Sequence, residues 1–136
     1  AYAKFLNTDL VICFKQRKKA GVIESMQVIG DVRGKDVVLI DDIIDSGGTL
    51  TKASDMMMEQ GATSVRAVCT HAVFSGKALE TIENSSLKQI IVSDTIPRVA
   101  NGKVTILSTA GIFADVIGKI HKFESISEHF QFTTIL

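Results

Sequence analysis

The sequence predicts an α/β fold: a parallel sheet of about five strands flanked by helices. Short runs rich in Val and Ile alternate with stretches of helical spacing, which is typical of parallel strands connected by helices. The chain has 136 residues, enough for one compact domain and too few for two of ordinary size. We therefore expect a single domain over residues 1–136.

The predicted strands are short, rich in β-branched residues and bounded by polar residues or glycine. They are Asp9–Cys13, Asp36–Ile40, Ser64–His71, Gln89–Ser93 and Val104–Leu107. The run Val37–Ile40 is apolar throughout, which favours a central strand buried on both faces.

Three helices are predicted between and after these strands: Leu50–Gln60, Gly76–Ile82 and Ala110–Phe123. The first ends at Gly61, because glycine is typical of helix C-termini. The last carries an apolar face made of Ile112, Phe113, Val116, Ile117 and Ile120. Residues 1–6 have the spacing of the second half of an amphipathic helix and no signal-peptide pattern, so we expect a chain cut from a longer one.

Composition excludes several classes of partner. The 15 basic and 15 acidic residues cancel, so no overall field draws the chain to nucleic acid or to an anionic membrane. The apolar runs are far shorter than the ~20 residues needed to cross a bilayer. Cys13 and Cys69 lack metal-ligand spacing and lie in strand-like runs, so we expect buried free thiols and a cytoplasmic protein.

The most informative stretch follows the strand Asp36–Ile40. Asp41 and Asp42 come directly after it, and ligands bind at the carboxyl edge of open α/β sheets. The small residues of the loop that follows let backbone N–H groups approach an anion at a helix start; they are Ser46, Gly47, Gly48 and Thr49. Carboxylates repel a phosphate and instead accept hydrogen bonds from vicinal hydroxyls, directly or through Mg²⁺. A sugar phosphate would satisfy both parts of this pattern, the acid pair with its hydroxyls and the loop with its phosphate.

The alternative interpretation of this loop is a tight turn with a helix N-cap, since each of its residue types is common in turns. The complete order of apolar strand, paired acids, third acid Asp45 and helix start favours a binding site over a bare turn. It is not a P-loop, because no Gly-Lys-Ser or Gly-Lys-Thr follows the turn.

Val37–Leu50 resembles the phosphoribosyl pyrophosphate motif of type I phosphoribosyltransferases. The resemblance implies that Asp41 and Asp42 meet the ribose hydroxyls and that the loop Asp45–Thr49 wraps the 5-phosphate. It also implies the type I phosphoribosyltransferase fold.

Further segments are similar to the ribose-phosphate pyrophosphokinases, enzymes that move a pyrophosphoryl group from ATP to ribose 5-phosphate. They are Val28–Lys35, Cys69–Gly76, Ser93–Pro97 and the close of the chain from Ala110 to Phe130. Phe14–Arg17 resembles the start of that family's catalytic loop, although Phe14 and Gln16 depart from its usual Asp-Lys-Arg-Arg.

The resemblance implies catalytic roles for Lys15 and Arg17. Phosphoryl transfer relies on cations that neutralise charge on the transferred group. The alternative is a solvated basic face shared with Lys18 and Lys19, because charge runs are usually that.

The resemblance also has implications for the whole enzyme. It implies ribose 5-phosphate and ATP as substrates and Mg²⁺ as cofactor, with no metal ligand in this chain except indirectly through Asp41 and Asp42. It implies a homo-oligomer, from dimer to hexamer. The family's ATP-binding half would precede Ala1, so we expect the C-terminal half of an enzyme, inactive by itself.

Three sets of residues receive other assignments. Ser125, Ser127 and Phe130 match a stretch that forms an allosteric phosphate or ADP site in regulated members of the family. His71 is expected to be a structural histidine, and Met56–Met58 are expected to pack in the core or between subunits. A nucleobase phosphoribosyltransferase and a non-catalytic regulatory subunit remain as alternative functions.

Overall fold

The computed structural model describes residues 2–19 and 22–130; for residues 16–19 and 22–24 it describes the backbone only. The chain forms two compact units, one of residues 11–107 and one of residues 1–10 with 108–136. All the strands of the described chain lie in the larger unit.

The larger unit contains six described strands and two helices. The strands are β1 (Ile12–Lys19), β2 (Val22–Ile29), β3 (Asp36–Ile44), β4 (Ser64–Ala72), β5 (Gln89–Ser93) and β6 (Val104–Leu107). The helices, numbered in chain order, are α1 (Tyr2–Leu6), α2 (Gly48–Glu59), α3 (Ala78–Glu83) and α4 (Ala110–His121). The larger unit contains α2 and α3, and the smaller unit contains α1 and α4.

A four-stranded parallel sheet in the order β3-β4-β5-β6 forms the centre of the larger unit. Its register places Leu39 beside Ala67, Ala67 beside Ile90, and Ile90 beside Val104. Parallel strands joined by helices confirm the predicted α/β class. Because crossovers between neighbouring parallel strands are right-handed, strands added in one direction place α2 and α3 on the same face.

The core lies on that face of the sheet. Val65, Ala67 and Ile90 have no exposed surface, and they pack in one cluster with Met57 of α2 and Ile82 of α3, each 1% exposed. Burying a side chain as large as Val65, Ile90, Met57 or Ile82 contributes roughly 1.5–3 kcal/mol. The packing role predicted for Met56–Met58 is confirmed at Met57.

The opposite face of the sheet is exposed, and this corrects the expectation for β3. Val38 is 52% and Ile40 44% exposed, whereas Val37 and Leu39, on the packed face, are half-buried. The apolar run predicted burial on both faces. Within the described residues it is buried on one face, since both crossover helices lie there.

The first predicted strand, Asp9–Cys13, was wrong in its bounds and its partner. β1 begins at Ile12, continues to Lys19 and pairs antiparallel with β2, with Ile12 opposite Ile29. The parallel sheet therefore has four described strands where about five were expected. Exposure alternates along residues 25–29 of β2, and Cys13 is half-buried, where a buried thiol was predicted.

The helices of the larger unit differ from their predicted bounds by one or two residues. α2 begins at Gly48, before the predicted Leu50. It closes as predicted at Gly61, whose φ is +93° and whose N–H donates to the carbonyl of Met58 at 3.0 Å. α3 begins at Ala78, two residues after the predicted Gly76.

The smaller unit contains α1, α4 and a short 3₁₀ turn at residues 127–130. α4 ends at His121, two residues before the predicted end. Its predicted apolar face is exposed, with Ile112, Phe113, Ile117 and Ile120 each more than half accessible. No helix in the described part of the chain has both the length and the apolar character that crossing a bilayer requires.

Candidate functional site

The acid pair lies inside β3, because the strand continues to Ile44 and does not end at Ile40. Successive side chains of a strand point to opposite faces. Asp41 is accordingly half-buried in register with Cys69, and Asp42 is exposed. Asp41 Oδ1 accepts a hydrogen bond from the N–H of Asp42 at 3.0 Å, and Asp42 Oδ1 accepts one from the N–H of Ile43 at 2.9 Å. Both carboxylates are thus oriented by local backbone.

The environment of Asp41 favours a nearby cation. Burial raises the pKa of the Asp41 carboxyl above its ordinary value, and the adjacent Asp42 carboxyl raises this pKa further. The N–H of Asp42 and the charge of Lys15 act in the opposite direction and lower it. A positive group placed here therefore stabilises the ionised carboxylate.

Of the two residues predicted to be catalytic, Lys15 is the one whose charge acts on the acid pair. It is an exposed residue of β1, and its ammonium acts on the charge of Asp41. The side chain of Arg17 lies outside the described residues. Lys15 belongs to the antiparallel pair β1-β2 and not to the parallel sheet, yet its charge acts on Asp41 of β3.

Cys69 supports the acid pair from the adjacent strand. Its thiol is 2% exposed, and Sγ donates to the carbonyl of Asp42 at 3.4 Å and lies 3.6 Å from the carbonyl of His71. Burial raises the pKa of this thiol, which keeps it protonated as a donor. Sequence reasoning missed this role; the position of Cys69 opposite Asp41 in a parallel register was the signal that could have shown it.

The loop after β3 is held at its entry by the segment that follows β4. The N–H groups of Val73 and Phe74 donate to the carbonyl of Ile44 at 3.0 and 3.2 Å, and the N–H of Ser75 donates to the carbonyl of Asp45 at 3.1 Å. Three backbone bonds thus fix where the loop leaves the sheet. Cys69–Gly76 is one of the segments similar to the pyrophosphokinases, and no part in the loop was predicted for it.

Gly47 forms the turn into α2. Its φ of +78° lies in the left-handed region that favours glycine. It is also buried: a Cβ at Gly47 would lie 3.4 Å from Cγ1 of Ile82 and 3.7 Å from the carbonyl oxygen of Ala78. α3 therefore packs directly beneath the loop.

The start of α2 is suited to an anion. The first N–H groups of a helix have no acceptor within the helix, and α2 has neither a side-chain cap at Gly47 nor an acidic residue in its first turn. Ser46 is exposed, and Gly48 and Thr49 are half-buried. The five predicted loop residues, Asp45 to Thr49, thus run directly from the end of the acid-bearing strand into the first turn of α2.

His71 has the partner expected of a structural histidine. Its Nδ1 lies 2.9 Å from Oγ1 of Thr95, and that hydroxyl also lies within hydrogen-bond distance of Ser93 Oγ and of the carbonyl of Thr70. Ser93 Oγ donates to the same Thr70 carbonyl at 2.6 Å. The network joins the carboxyl ends of β4 and β5.

The predicted regulatory residues lie in the smaller unit. Oγ of Ser125 and Oγ of Ser127 are 2.9 Å apart, and the N–H of Ser127 donates to Ser125 Oγ at 3.2 Å. Phe130 is 62% exposed. They form a candidate site of their own.

A parallel sheet, an acid pair on its first strand and a glycine turn opening a helix define an α/β domain of the phosphoribosyltransferase-like class. Residues 8–131 match the family described as "Phosphoribosyl synthetase-associated domain". The chain belongs to that family.

Relatives agree with this assignment. A protein of Wolinella succinogenes named "Ribose-phosphate pyrophosphokinase" is 48% identical over 130 residues, covering 95% of this chain and 42% of its own length. One of Porphyromonas gingivalis with the same name is 47% identical over 133 residues, covering 97% of this chain and 42% of its own length. The chain thus spans less than half the length of these relatives.

A solved structure has the same fold. The crystal structure of phosphoribosylpyrophosphate synthetase from Mycobacterium smegmatis aligns with a TM-score of 0.80 and 32% sequence identity, over 89% of this chain and 40% of that one. The predicted type I phosphoribosyltransferase-like fold and the resemblance to the pyrophosphokinases are confirmed.

Proposed function

We propose that this chain is the ribose-phosphate-binding part of a ribose-phosphate diphosphokinase, which transfers pyrophosphate from ATP to ribose 5-phosphate to give phosphoribosyl pyrophosphate and AMP. The observation that carries the proposal is the succession of Asp41, Asp42 and the Gly47 turn between β3 and α2. Relatives named ribose-phosphate pyrophosphokinase at 48% and 47% identity support it.

The loop binds the 5-phosphate in this proposal. Backbone N–H groups at the start of α2 and the hydroxyls of Ser46 and Thr49 donate to phosphate oxygens, and the helix dipole favours the negative charge. The first turn of α2 carries no acid that would oppose it.

The acid pair binds the pentose in this proposal. Each carboxylate uses Oδ1 for a backbone N–H, so Oδ2 can accept a hydrogen bond from a ribose hydroxyl. Asp42 is exposed and Asp41 half-buried, on opposite faces of β3. Asp42 therefore contributes through direct contact with the sugar, and Asp41 contributes by attracting a cation.

Lys15 and Mg²⁺ provide the positive charge. In the proposed reaction the oxygen of the ribose C1 hydroxyl forms a bond to the β-phosphorus of ATP. The bond from that phosphorus to the α–β bridging oxygen breaks, so AMP leaves. The hydroxyl proton passes to solvent. Oxygen donors such as Asp41 and Asp42 suit Mg²⁺, which keeps several waters and would meet them through water. Mg²⁺ held there would neutralise phosphate charge, and Lys15 would add a second cation beside Asp41.

The sugar-phosphate site can be tested on the chain itself. Titration with ribose 5-phosphate, followed by backbone amide NMR, is expected to shift the signals of residues 46–49 and those of Asp41 and Asp42. Inorganic phosphate should shift the loop signals alone, and ribose without phosphate should bind far more weakly. Shifts confined to other regions would reject the site.

The reaction can be tested on a longer protein containing this chain. We expect AMP to form from ATP only when both ribose 5-phosphate and Mg²⁺ are present. Consumption of phosphoribosyl pyrophosphate with a free nucleobase would support a nucleobase phosphoribosyltransferase instead, and ribose 5-phosphate binding without turnover would support a regulatory subunit. We also expect self-association, measurable by sedimentation.

A further inference from the structure

Arg98 lies in the connection between β5 and β6, and its side chain contacts the carboxyl end of β4. Its Nε donates to the carbonyl of Ala72 at 3.0 Å, Nη1 donates to that of Pro97 at 3.1 Å, and Nη2 donates to that of Val73. Hydrogen bonds from a charged donor are stronger than neutral ones, and the planar arginine fork fixes the direction of two at once. Arg98 therefore holds two consecutive peptide groups, although it is itself exposed.

The same two peptide groups hold the start of the loop. The peptide between Ala72 and Val73 and the peptide between Val73 and Phe74 each donate an N–H to the carbonyl of Ile44, at 3.0 and 3.2 Å. Arg98 donates to the carbonyl oxygen of each of these peptides. A donor at the oxygen polarises a peptide and strengthens the hydrogen bond that its N–H makes. Because Ile44 is the last residue of β3, Arg98 is connected through two peptides to the point where the loop leaves the sheet.

The backbone at Phe74 needs this support. Its φ of +44° lies in the left-handed region, which is unfavourable for a residue with a Cβ. Strained backbone persists where the surrounding contacts determine it, and here the half-buried ring packs against the core while Ile44 and Arg98 hold the peptide. Loss of the guanidinium should let this turn relax and move the Asp45 carbonyl, to which the N–H of Ser75 donates at 3.1 Å.

We propose that Arg98 is a positioning residue for the loop Asp45–Thr49: its guanidinium fixes the turn at Val73 and Phe74, and through this turn the place where the loop leaves β3. The consequence for phosphate binding rests on the proposed function. A loop held at a fixed place presents its N–H groups to an anion without first being ordered, and such preorganisation raises affinity. Direct contact between Arg98 and the anion is a different role, and the use of all three guanidinium nitrogens on backbone carbonyls argues against it.

The effect of Arg98 on the loop is tested without a ligand. Amide hydrogen exchange of Val73 and Phe74 is compared in the unaltered chain and in Arg98→Ala, with Ile90 of the sheet core as the internal reference. We expect exchange of the two turn amides to become about tenfold faster, as for the loss of one hydrogen bond from a charged donor, and exchange of Ile90 to stay the same. Equal acceleration at Ile90 would mean a general loss of stability and would overturn the proposal, as would unchanged exchange at Val73 and Phe74.

Two further measurements separate the shape of the guanidinium from its charge. Arg98→Lys keeps the charge on a single ammonium, so it should restore less than half of the protection that Arg98→Ala loses, whereas free guanidinium ion, far below unfolding concentrations, should restore it in Arg98→Ala. Arg66→Ala is the matched control, because Nη1 of Arg66 donates to Ser64 Oγ at 3.2 Å at the other end of β4; exchange of Val73 should not change in it. Full protection in Arg98→Lys would overturn the role of the fork.

Ligand binding tests the consequence for the anion. Dissociation constants of ribose 5-phosphate and inorganic phosphate are measured from the amide shifts of residues 46–49. Both should rise about fivefold in Arg98→Ala, the lower end of the coupling typical of linked sites, and neither should change in Arg66→Ala. Added salt should weaken binding by the same factor with and without Arg98; a smaller salt dependence in Arg98→Ala would mean direct contact with the anion and would overturn the positioning role.

Failure of this inference is distinguishable from failure of the proposed function. Equal affinity of the unaltered chain and Arg98→Ala would overturn the role of Arg98 in binding and leave the sugar-phosphate site intact. Absence of binding to the unaltered chain would reject the proposed function and the affinity effect with it. The exchange rates of Val73 and Phe74 would still decide whether Arg98 holds the loop.

Discussion

A Cβ added at Gly47 would lie 3.4 Å from Cγ1 of Ile82. This distance is at the short limit of ordinary van der Waals contact, and Ile82 is 1% exposed, so it has little space to move. The relationship links the turn that faces the proposed phosphate to a core residue of α3. A change in the packing of α3 is therefore expected to alter the conformation of the loop.

Gly47→Ala is expected to destabilise the protein by roughly 1–2 kcal/mol, because it adds left-handed backbone strain and places a methyl at the short limit of contact with the buried Ile82. Gly34→Ala is the matched control. Gly34 has a φ of +70° with nothing within 4 Å of its added Cβ, so it should cost about 1 kcal/mol from the backbone alone. Urea unfolding of the two variants measures the difference, and equal losses would show that Ile82 adjusts freely.

The pKa of Asp41 predicts a stability effect with a defined sign. Burial raises this pKa in the folded protein, so the folded state binds the proton more readily than the unfolded chain, and ionisation costs stability as pH rises. Asp41→Asn should therefore stabilise the ligand-free protein at pH 7 by roughly 0.5 kcal/mol after allowance for solvent screening.

That gain should disappear as pH falls below the ordinary carboxyl pKa of about 3.9, where aspartate is protonated in both states. Asp42→Asn is the control: Asp42 is exposed and also accepts one backbone N–H, so it should change stability little. Thermal unfolding from pH 3 to pH 7 tests the difference. A destabilised Asp41→Asn at pH 7 would contradict the sign.

The fold was predictable where the hydrophobic residues of the sequence repeat with one regular spacing, as in a strand. Val65, Ala67 and Cys69 are buried along β4 and alternate with Arg66, Val68 and Thr70, which are half-buried or exposed. The loop Asp45–Thr49 was predictable because each residue type has a local physical reason to be there. The strand and the loop were both predictable because each depends on residues that are close together in the chain.

Features that depend on distant residues were not predictable. Nothing near Asp9–Cys13 shows that β1 pairs with β2 and not with the parallel sheet, because both partners favour an apolar strand. The burial of Gly47 depends on Ile82, 35 positions away in the printed sequence. The exposed face of Val38 and Ile40 follows from the direction in which strands were added, which is a property of the whole sheet.

Lys15 is expected to act through charge. In a longer protein with activity, Lys15→Ala should lower turnover by roughly 10²-fold, the loss typical of removing one stabilising group from a transition state. The control is Lys88→Ala, because Lys88 is exposed and precedes β5. AMP formation measures turnover, and equal activity in both variants would remove Lys15 from the mechanism.

The same variant makes a prediction for the chain alone. Since the Lys15 charge lowers the pKa of Asp41, Lys15→Ala should raise that pKa further, and Lys88→Ala should leave it unchanged. A carboxyl ¹³C titration of Asp41 measures this. An unchanged Asp41 titration in Lys15→Ala would show that the Lys15 charge does not act on Asp41, whatever the activity of the longer protein.

The two thiols are expected to react slowly and in a fixed order. Burial raises the pKa of both Cys13 and Cys69, so at pH 8 less thiolate is present than for a free cysteine, and the thiolate is the reactive form. Cys69 is 2% exposed while Cys13 is half-buried, so Cys13 should react first with a disulfide reagent. Single-cysteine variants, Cys13→Ser and Cys69→Ala, assign the two phases. In guanidinium both thiols should react at one fast rate, and a faster Cys69 in the folded protein would mean that its hydrogen bond to the Asp42 carbonyl is often broken.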